Sequence, residues 1–185
     1  KKVVAKHPLT SMNEGMAYLP EDRKNEGIIA DLSVRENLIM ALQAKRGMFR
    51  LLSRKQQEEY TDKYIEMLQI KTASRETPIK SLSGGNQQKV IIGRWLLTDP
   101  DILIFDEPTR GIDVGSKSEI HRLLSNLAGQ GKCVIIVSSE MPEVMGIADR
   151  IIVMCDGRIT GELMADEATQ NSILTLATRF EKKVV

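Results

Sequence analysis

Two adjacent carboxylates, Asp106 and Glu107, follow a run of four apolar residues and precede Pro108. Such a run predicts a buried strand, and open α/β sheets bind ligands outside the carboxyl ends of their strands. Because neighbouring strand residues point to opposite sides, we expect one carboxylate to hold a metal ion and the other to handle water. Pro108 disfavours helical backbone at Glu107 and should keep its side chain projecting. Since acidic residues also end strands that simply enter solvent, this segment alone leaves a functional and a structural role equally weighted.

A second candidate site is Ser83-Gly84-Gly85, which precedes a run with apolar residues at helical spacing. Glycines permit close backbone approach, the unpaired amides of a helix start attract phosphate oxygens, and the serine hydroxyl adds a donor. The alternative is an N-cap and a flexible turn, which this tripeptide on its own favours. Trp95, further along the same run, is expected to be a core residue.

Alternating strands and helices must position these residues. The pattern predicts strands at 102–105, 133–137 and 151–154, with helices at 116–127 and 142–147 between them. Apolar strands in such alternation indicate a parallel sheet buried on both faces. Asp156-Gly157 predicts a tight hairpin leading into 158–163, and a terminal helix follows at 170–180. Upstream, helices are predicted from about Ser33 to Ile70, with Asp31 and Ser53 as candidate caps.

Composition narrows the class of protein. With 185 residues, 42% of them apolar, the chain has enough material for one globular core. Its net charge of +1 and its aromatic content of 4% argue against a nucleic-acid partner. No apolar run approaches the roughly 20 residues of a membrane helix. The basic residues at the start of the sequence are not followed by an apolar stretch, so they do not form a secretory signal. Cys133 and Cys155 form no disulfide or metal pattern and are expected to be buried thiols in a reducing, cytosolic setting.

Taken together, the motifs resemble a known family. Ser83-Gly84-Gly85, the strand ending in Asp106-Glu107-Pro108-Thr109, and Gly111-Ile112-Asp113 are similar to the signature motif, Walker B strand and D-loop of ABC ATPases. The strings 82–90, 93–96, 106–115 and 138–143 look like the second cassette of the tandem ATPases that energise bacterial monosaccharide importers, of galactose, methyl-galactoside or ribose type. The resemblance runs from about Gly15 to Phe180.

The resemblance implies a fold and a division of the chain. The fold would be an α/β, P-loop NTPase-like ABC cassette that lacks its N-terminal part, with a parallel sheet and an inserted helical subdomain. The whole chain, 1–185, would be a partial cassette. Residues 31–80 would form the helical subdomain, and residues 101–165 would form the core sheet with Walker B, D-loop and switch region.

The resemblance also assigns roles to single residues, with ATP and Mg²⁺ as cofactors. Asp106 would support the Mg²⁺ shell, and Glu107 would orient the attacking water. Asp113 would lie in the D-loop, which communicates across a dimer of cassettes. The residues that would bind, in trans, the γ-phosphate of ATP held by the opposite cassette are Ser83, Gly84, Gly85 and Gln87.

Three departures from the family pattern bear on activity. The phosphate-loop pattern Gly-x4-Gly-Lys-[Ser/Thr] does not occur in the printed sequence, and the nearest string, 129–133, has the wrong spacing. Ser139 replaces the switch histidine at a catalytic position, and Glu21 replaces the Q-loop glutamine, a position that contacts the metal. A serine cannot act as the charged switch that histidine provides. We therefore predict that the 185 residues alone do not hydrolyse ATP, and that the site built on this Walker B hydrolyses poorly.

The implied partners are a second ABC cassette, the membrane permease subunits and, indirectly, a periplasmic or lipoprotein sugar-binding protein, with no nucleic acid. The protein would lie peripherally on the cytoplasmic face of the bacterial plasma membrane. The resemblance implies that residues 21–27 contact coupling helices of the permease and that Gly27, Ile28 and Ile29 line the docking groove, whereas the spacing of 21–24 alone favours a charged surface turn.

Two other functions remain open. A soluble ABC ATPase of DNA repair or translation would share the motifs, but the short helical insertion and neutral charge argue against it. A non-enzymatic interaction domain would bind a partner cassette or permease and no nucleotide.

Overall fold

The computed structural model describes residues 7–47 and 49–180, which fall into two compact units divided between Val137 and Ser138. In the first unit the elements are α1 (Pro8–Asn13), β1 (Met16–Leu19), a π-helical turn (Arg23–Gly27), α2 (Val34–Arg46), α3 (Arg54–Met67), a 3₁₀ turn (Ile79–Ser81), α4 (Gly84–Leu96), β2 (Ile102–Asp106), α5 (Val114–Gly129) and β3 (Cys133–Val137). In the second they are α6 (Met141–Ile147), β4 (Arg150–Cys155), β5 (Arg158–Met164) and α7 (Gln170–Ala177).

The first unit is built on a parallel sheet in the order β1-β2-β3. Leu19, Phe105 and Leu103 point to one face and are at most 1% exposed, packed with residues of α4 and α5. The parallel α/β architecture is therefore as predicted. Burial on both faces was wrong, because the helices pack on that one face and leave Tyr18 and Val137 about half exposed on the other.

The cysteines divide in the same way. Cys133 begins β3 and is exposed, so the prediction of a buried thiol was wrong for this residue. Its register partner Ile102 belongs to the open face of the sheet, which explains the exposure. Cys155 is buried as predicted.

Helices α2 and α3 begin at capping boxes that the chain itself encodes. The Ser33 Oγ accepts from the Glu36 amide at 3.2 Å, and the Ser33 amide donates to Glu36 at 2.9 Å. Ser53 caps α3, as predicted, and does so through the equivalent box. Asp31 does not cap α2, because Ser33 occupies that position, and its carboxylate pairs with Lys80 at 2.6 Å. Assignment of residues 31–80 as a helical subdomain stays a prediction.

The second unit is a hairpin with two helices. Strands β4 and β5 are antiparallel, and Asp156 and Gly157 both have positive φ, as a two-residue primed turn requires. Ile151, Val153 and Ile173 form its small core. The sequence predicted one core sheet over residues 101–165, and the strands are arranged differently. The parallel sheet includes β1, outside that range, and β4 pairs with β5, because the tight turn brings these two strands together.

Within residues 7–47 and 49–180 there is no helix with the length and apolar character that spanning a membrane would need.

Candidate functional site

The acidic end of β2 differs in detail from the prediction. Asp106 is the last strand residue, and its Oδ2 accepts a hydrogen bond from the Tyr18 hydroxyl at 2.9 Å. Glu107 lies beyond the strand with φ of +45°, a left-handed conformation instead of the extended one that Pro108 was expected to enforce. Its amide donates to the Val137 carbonyl at 2.8 Å, which fixes the turn. Strand alternation therefore does not apply to Glu107, and a left-handed backbone at a non-glycine residue costs about 1–2 kcal/mol.

The pKa of the Tyr18 hydroxyl depends on the Asp106 carboxylate. The hydrogen bond to Asp106 raises the pKa of the Tyr18 hydroxyl above its usual 10, with smaller contributions from burial and from the negative charge. The raised pKa belongs to the folded state, so the stability from this neutral phenol is present below pH 10 and is lost as pH rises through the folded pKa.

We predict that Asp106→Asn lowers the pKa of Tyr18, because the amide brings no negative charge to the phenol. The measurement is an NMR titration of the protein labelled with ¹³C at the tyrosine Cζ. Tyr64 is the internal control, since its raised pKa comes first from burial and then from Asp99. A Tyr18 titration that stays in place, or a Tyr64 titration that moves with it, would contradict the assignment.

Ser83 is the exposed residue before α4. It occupies the N-cap position, but its side chain makes no capping bond to the helix. Instead its Oγ accepts from the Asn86 Nδ2 at 2.8 Å, while the Asn86 Oδ1 accepts from the Lys71 amide at 2.8 Å. The hydroxyl hydrogen of Ser83 can therefore be donated outward, beside the first amides of α4, which lack intrahelical acceptors. The alternative interpretation was an N-cap followed by a flexible turn, and of these two features only the N-cap position of Ser83 is confirmed.

Gly84 and Gly85 allow another part of the chain to approach α4. A Cβ on Gly85 would lie 2.5 Å from the Cβ and Oγ of Ser116, and one on Gly84 would lie 3.3 Å from the Gly111 carbonyl. Asp113 caps α5 by accepting from the Ser116 amide at 3.0 Å, and this bond lowers the pKa of Asp113. The structure thus brings the Ser-Gly-Gly loop against the residues that carry Asp113.

Two predicted site residues are engaged by protein groups. Gln87 is buried, and its Nε2 donates to the carbonyls of Leu82 at 3.0 Å and Ile79 at 3.3 Å. Glu21 forms an ion pair with Arg110. A nucleotide contact by Gln87, or a metal contact by Glu21, would require these interactions to be exchanged, and both remain predictions.

A buried arginine, Arg94, binds the backbone of the segment predicted to dock a permease. The Arg94 side chain is 7% exposed, and its Nη1 donates to the Gly27 carbonyl at 2.6 Å. Its Nε and Nη2 donate to the main-chain and side-chain oxygens of Asn37 at 2.7 and 2.8 Å. Burial lowers the pKa of Arg94 to about 10. Gly27 and Ile28 are buried, so Ile29, 47% exposed, is the residue of the three that faces the surface.

Ser139 belongs to the second unit, where it is exposed and lies just before α6. The neighbouring Ser138 Oγ accepts from the Glu140 amide at 3.0 Å. The role of Ser139 in place of a switch histidine stays a prediction. Among the residues that the structure describes, no group of three or more His, Cys, Asp or Glu side chains is placed to hold a metal ion.

Sequence analysis did not find Arg23 and Arg94. Arg23 donates from Nε to the Gln87 Oε1 at 3.3 Å and from Nη1 to the Arg110 carbonyl at 3.3 Å. It lies in a charged tetrapeptide typical of a surface turn, and Arg94 lies on a helix where arginine is usually solvated. The one available signal was that Arg94 falls on the apolar side of α4, near Val90 and Ile91.

A parallel sheet with acidic residues at its carboxyl edge, and a helix that starts at Ser-Gly-Gly against an Asp-capped neighbour, are the arrangement of an ABC-type cassette fold. Solved structures agree at the level of the fold. MJ1267, described as an ATP-binding cassette of an ABC transporter, superposes with a TM-score of 0.74 at 22% identity, over 92% of this chain and 71% of that one. The dimeric cassette MJ0796 with ADP and Pi gives a TM-score of 0.71 at 24% identity, over 84% of this chain and 66% of that one.

The family model for ABC transporters matches residues 1–110, more than half of the sequence. The chain therefore belongs to the ABC transporter family. It is 52% identical to the ribose import ATP-binding protein RbsA of Clostridium perfringens (strain 13 / Type A), over 90% of this chain and 34% of that protein. It is 49% identical to the galactose/methyl galactoside import ATP-binding protein MglA of Clostridium tetani, over 97% of this chain and 36% of that protein. The chain thus spans about a third of the length of these curated relatives.

Proposed function

We propose that the chain is part of the ATP-hydrolysing subunit of an ABC importer for a monosaccharide of the ribose or galactose type. The observation that carries the proposal is the exposed Ser83 hydroxyl, set beside the first amides of α4 and braced by Asn86. The names of the similar proteins, which are ribose and galactose import ATP-binding proteins, support the class of substrate.

In this proposal Ser83, Gly84 and Gly85 complete an ATP site whose phosphate loop belongs to the partner cassette. The Ser83 hydroxyl donates to the γ-phosphate, and the free amides at the start of α4 add donors and the positive end of the helix dipole. The two glycines keep side-chain atoms away from the phosphate and let residues 111–116 support the loop. Asp113, as the cap of α5, then lies next to the interface between cassettes.

The acidic end of β2 would serve the second ATP site. Asp106 supplies a single carboxylate, which fits Mg²⁺ because this ion keeps several waters and takes its other ligands from one or two carboxylates and the substrate phosphates. Bound there, Mg²⁺ would neutralise charge on the phosphates. The Tyr18 hydroxyl orients the carboxylate, and Glu107 would polarise water. With Ser139 where an imidazole is expected, we propose that this second site hydrolyses ATP poorly.

The proposed partners are a second cassette, the permease subunits and, through them, a periplasmic or lipoprotein sugar-binding protein. The subunit would bind at the cytoplasmic face of the plasma membrane. The residue of the predicted docking groove that is available to a permease is Ile29.

The test is ATP-driven uptake of labelled ribose and galactose into vesicles that contain the full-length protein, its permease and its binding protein. We expect uptake of one of these sugars with ATP inside, and none with a non-hydrolysable analogue. Turnover that is indifferent to both sugars and to the permease, but responds to DNA or ribosomes, would favour the soluble ABC ATPase. Binding of the permease without any binding of labelled ATP would favour the interaction domain.

A further inference from the structure

One face of α4 is covered along its length by the segment that follows β1. Gly84, Gln87, Ile91 and Arg94 recur at helical spacing and share this face. A Cβ on Gly27 would lie 2.9 Å from the Ile91 Cδ1, so the π-helical turn lies directly on the helix. Arg94 fastens the Gly27 carbonyl at the far end of α4. At the near end, the residue that fastens the turn is Arg23.

The Arg23 guanidinium joins three parts of the chain. Its Nε donates to the Gln87 Oε1 and its Nη1 to the Arg110 carbonyl, both at 3.3 Å. Its Nη2 lies 3.0 Å from the place where a Cβ on Gly84 would stand. The planar fork of arginine can serve acceptors in two directions, whereas the ammonium of lysine is a compact charge on a flexible stem.

Gln87 carries this contact on to the loop before Ser83. While its Oε1 accepts from Arg23, its Nε2 donates to the Leu82 and Ile79 carbonyls. All three bonds involve one buried amide, so rotation of that amide would break them together. The orientation of Gln87 that Arg23 selects is therefore the orientation that holds the backbone directly preceding Ser83.

We infer that Arg23 is a positioning residue, which acts through the Gln87 amide to hold the Ser83-Gly84-Gly85 loop in the geometry that meets the terminal phosphate. The inference rests on the proposed function and adds to it a residue that makes no contact with nucleotide. In the proposed site, the partner cassette's phosphate loop holds the ATP, and the Ser-Gly-Gly loop adds its contacts at the terminal phosphate. Loss of Arg23 should therefore lower kcat and leave the KM for ATP nearly unchanged.

The experiment measures kcat and KM for ATP with the full-length protein. For Arg23→Ala we expect kcat to fall about tenfold, which corresponds to roughly 1.4 kcal/mol. The matched control is Arg122→Ala, which removes the same side chain and charge at an exposed position on α5 and should keep the parent kcat. Arg23→Lys should resemble Arg23→Ala, because it keeps the charge and loses the fork.

A double variant separates positioning from general stability. If Arg23 acts through Gln87, then Arg23→Ala, Gln87→Ala and the double variant should lose kcat to the same extent, whereas independent effects would multiply. Thermal unfolding midpoints of Arg23→Ala and Arg122→Ala should agree. The inference is overturned if Arg23→Ala keeps the control's kcat, if the two losses multiply, or if the loss disappears after correction for the folded fraction.

The outcome also distinguishes this inference from the proposed function. Full turnover in a Ser83→Arg variant would remove the proposed function itself. Loss of turnover in Ser83→Arg, together with normal turnover in Arg23→Ala, would remove only the role of Arg23.

Discussion

Ser83→Arg in the full-length protein should reduce ATP turnover by at least about 100-fold, the size of effect that follows loss of one preorganised donor to a developing charge. The substitution removes the hydroxyl that Asn86 braces and places a long side chain at the start of α4, where the γ-phosphate of the partner's ATP must approach. The measurement is steady-state phosphate release at saturating ATP. Ser125→Arg is the control, because Ser125 is exposed on α5, away from the helix start.

Glu107→Gln is the informative comparison for the same assay. It keeps the shape of the side chain and removes the carboxylate that would polarise water. If the site built on β2 hydrolyses poorly, the loss of turnover should be far smaller than the loss caused by Ser83→Arg. Equal losses in the two variants would contradict the proposed asymmetry between the two ATP sites, although they would leave ATP hydrolysis by the subunit intact as a proposal.

Much of the local structure could be predicted because its causes are local. Apolar runs gave the three strands β2, β3 and β4, and the Ser53 capping box and the Asp156-Gly157 turn depend on residues only a few positions apart. The placement of Asp106 at the end of β2 follows from the same short-range pattern.

The pairing of strands and the covering of faces could not be predicted in the same way. An apolar run such as 151–154 is compatible with a parallel sheet or a hairpin, and the turn after it decided for the hairpin. Cys133 and Val137 have the apolar character of a fully buried strand, yet they lie on the face opposite to the helices. Which face is covered depends on contacts distant in sequence.

The candidate site shows the same division. Ser83, Gly84 and Gly85 were recognised from their residue types, but their contacts with Ser116 and Gly111 arise only when α4 packs beside α5. The two arginines that hold the neighbouring segment bind mainly carbonyl and amide oxygens. The charge pattern of the sequence does not indicate which carbonyl an arginine will bind, because every residue carries a backbone carbonyl.

Arg94→Met should lower the free energy that protects α4 from opening by about 3 kcal/mol, the range found when one partner of a buried charged hydrogen-bond network is removed. Methionine matches much of the arginine length and keeps the apolar packing, so the loss comes from the oxygens of Gly27 and Asn37 that Arg94 now satisfies. Native-state hydrogen exchange of the α4 amides in the full-length protein measures this quantity. Arg122→Met on the exposed side of α5 is the matched control, with a change expected within about 0.5 kcal/mol.

Asn37 decides whether the effect belongs to the network. Its side chain is fully buried, and its Oδ1 accepts from the Ile29 amide at 3.0 Å as well as from Arg94. Asn37→Ala should therefore be strongly destabilising alone, and combining it with Arg94→Met should add much less than the sum, because the two changes break shared bonds. Since both residues hold Gly27–Ile29 against α4, the amides of that segment should lose protection together with those of the helix. Additive losses, or loss of protection in α4 with Ile29 unchanged, would show that Arg94 stabilises the helix by packing alone.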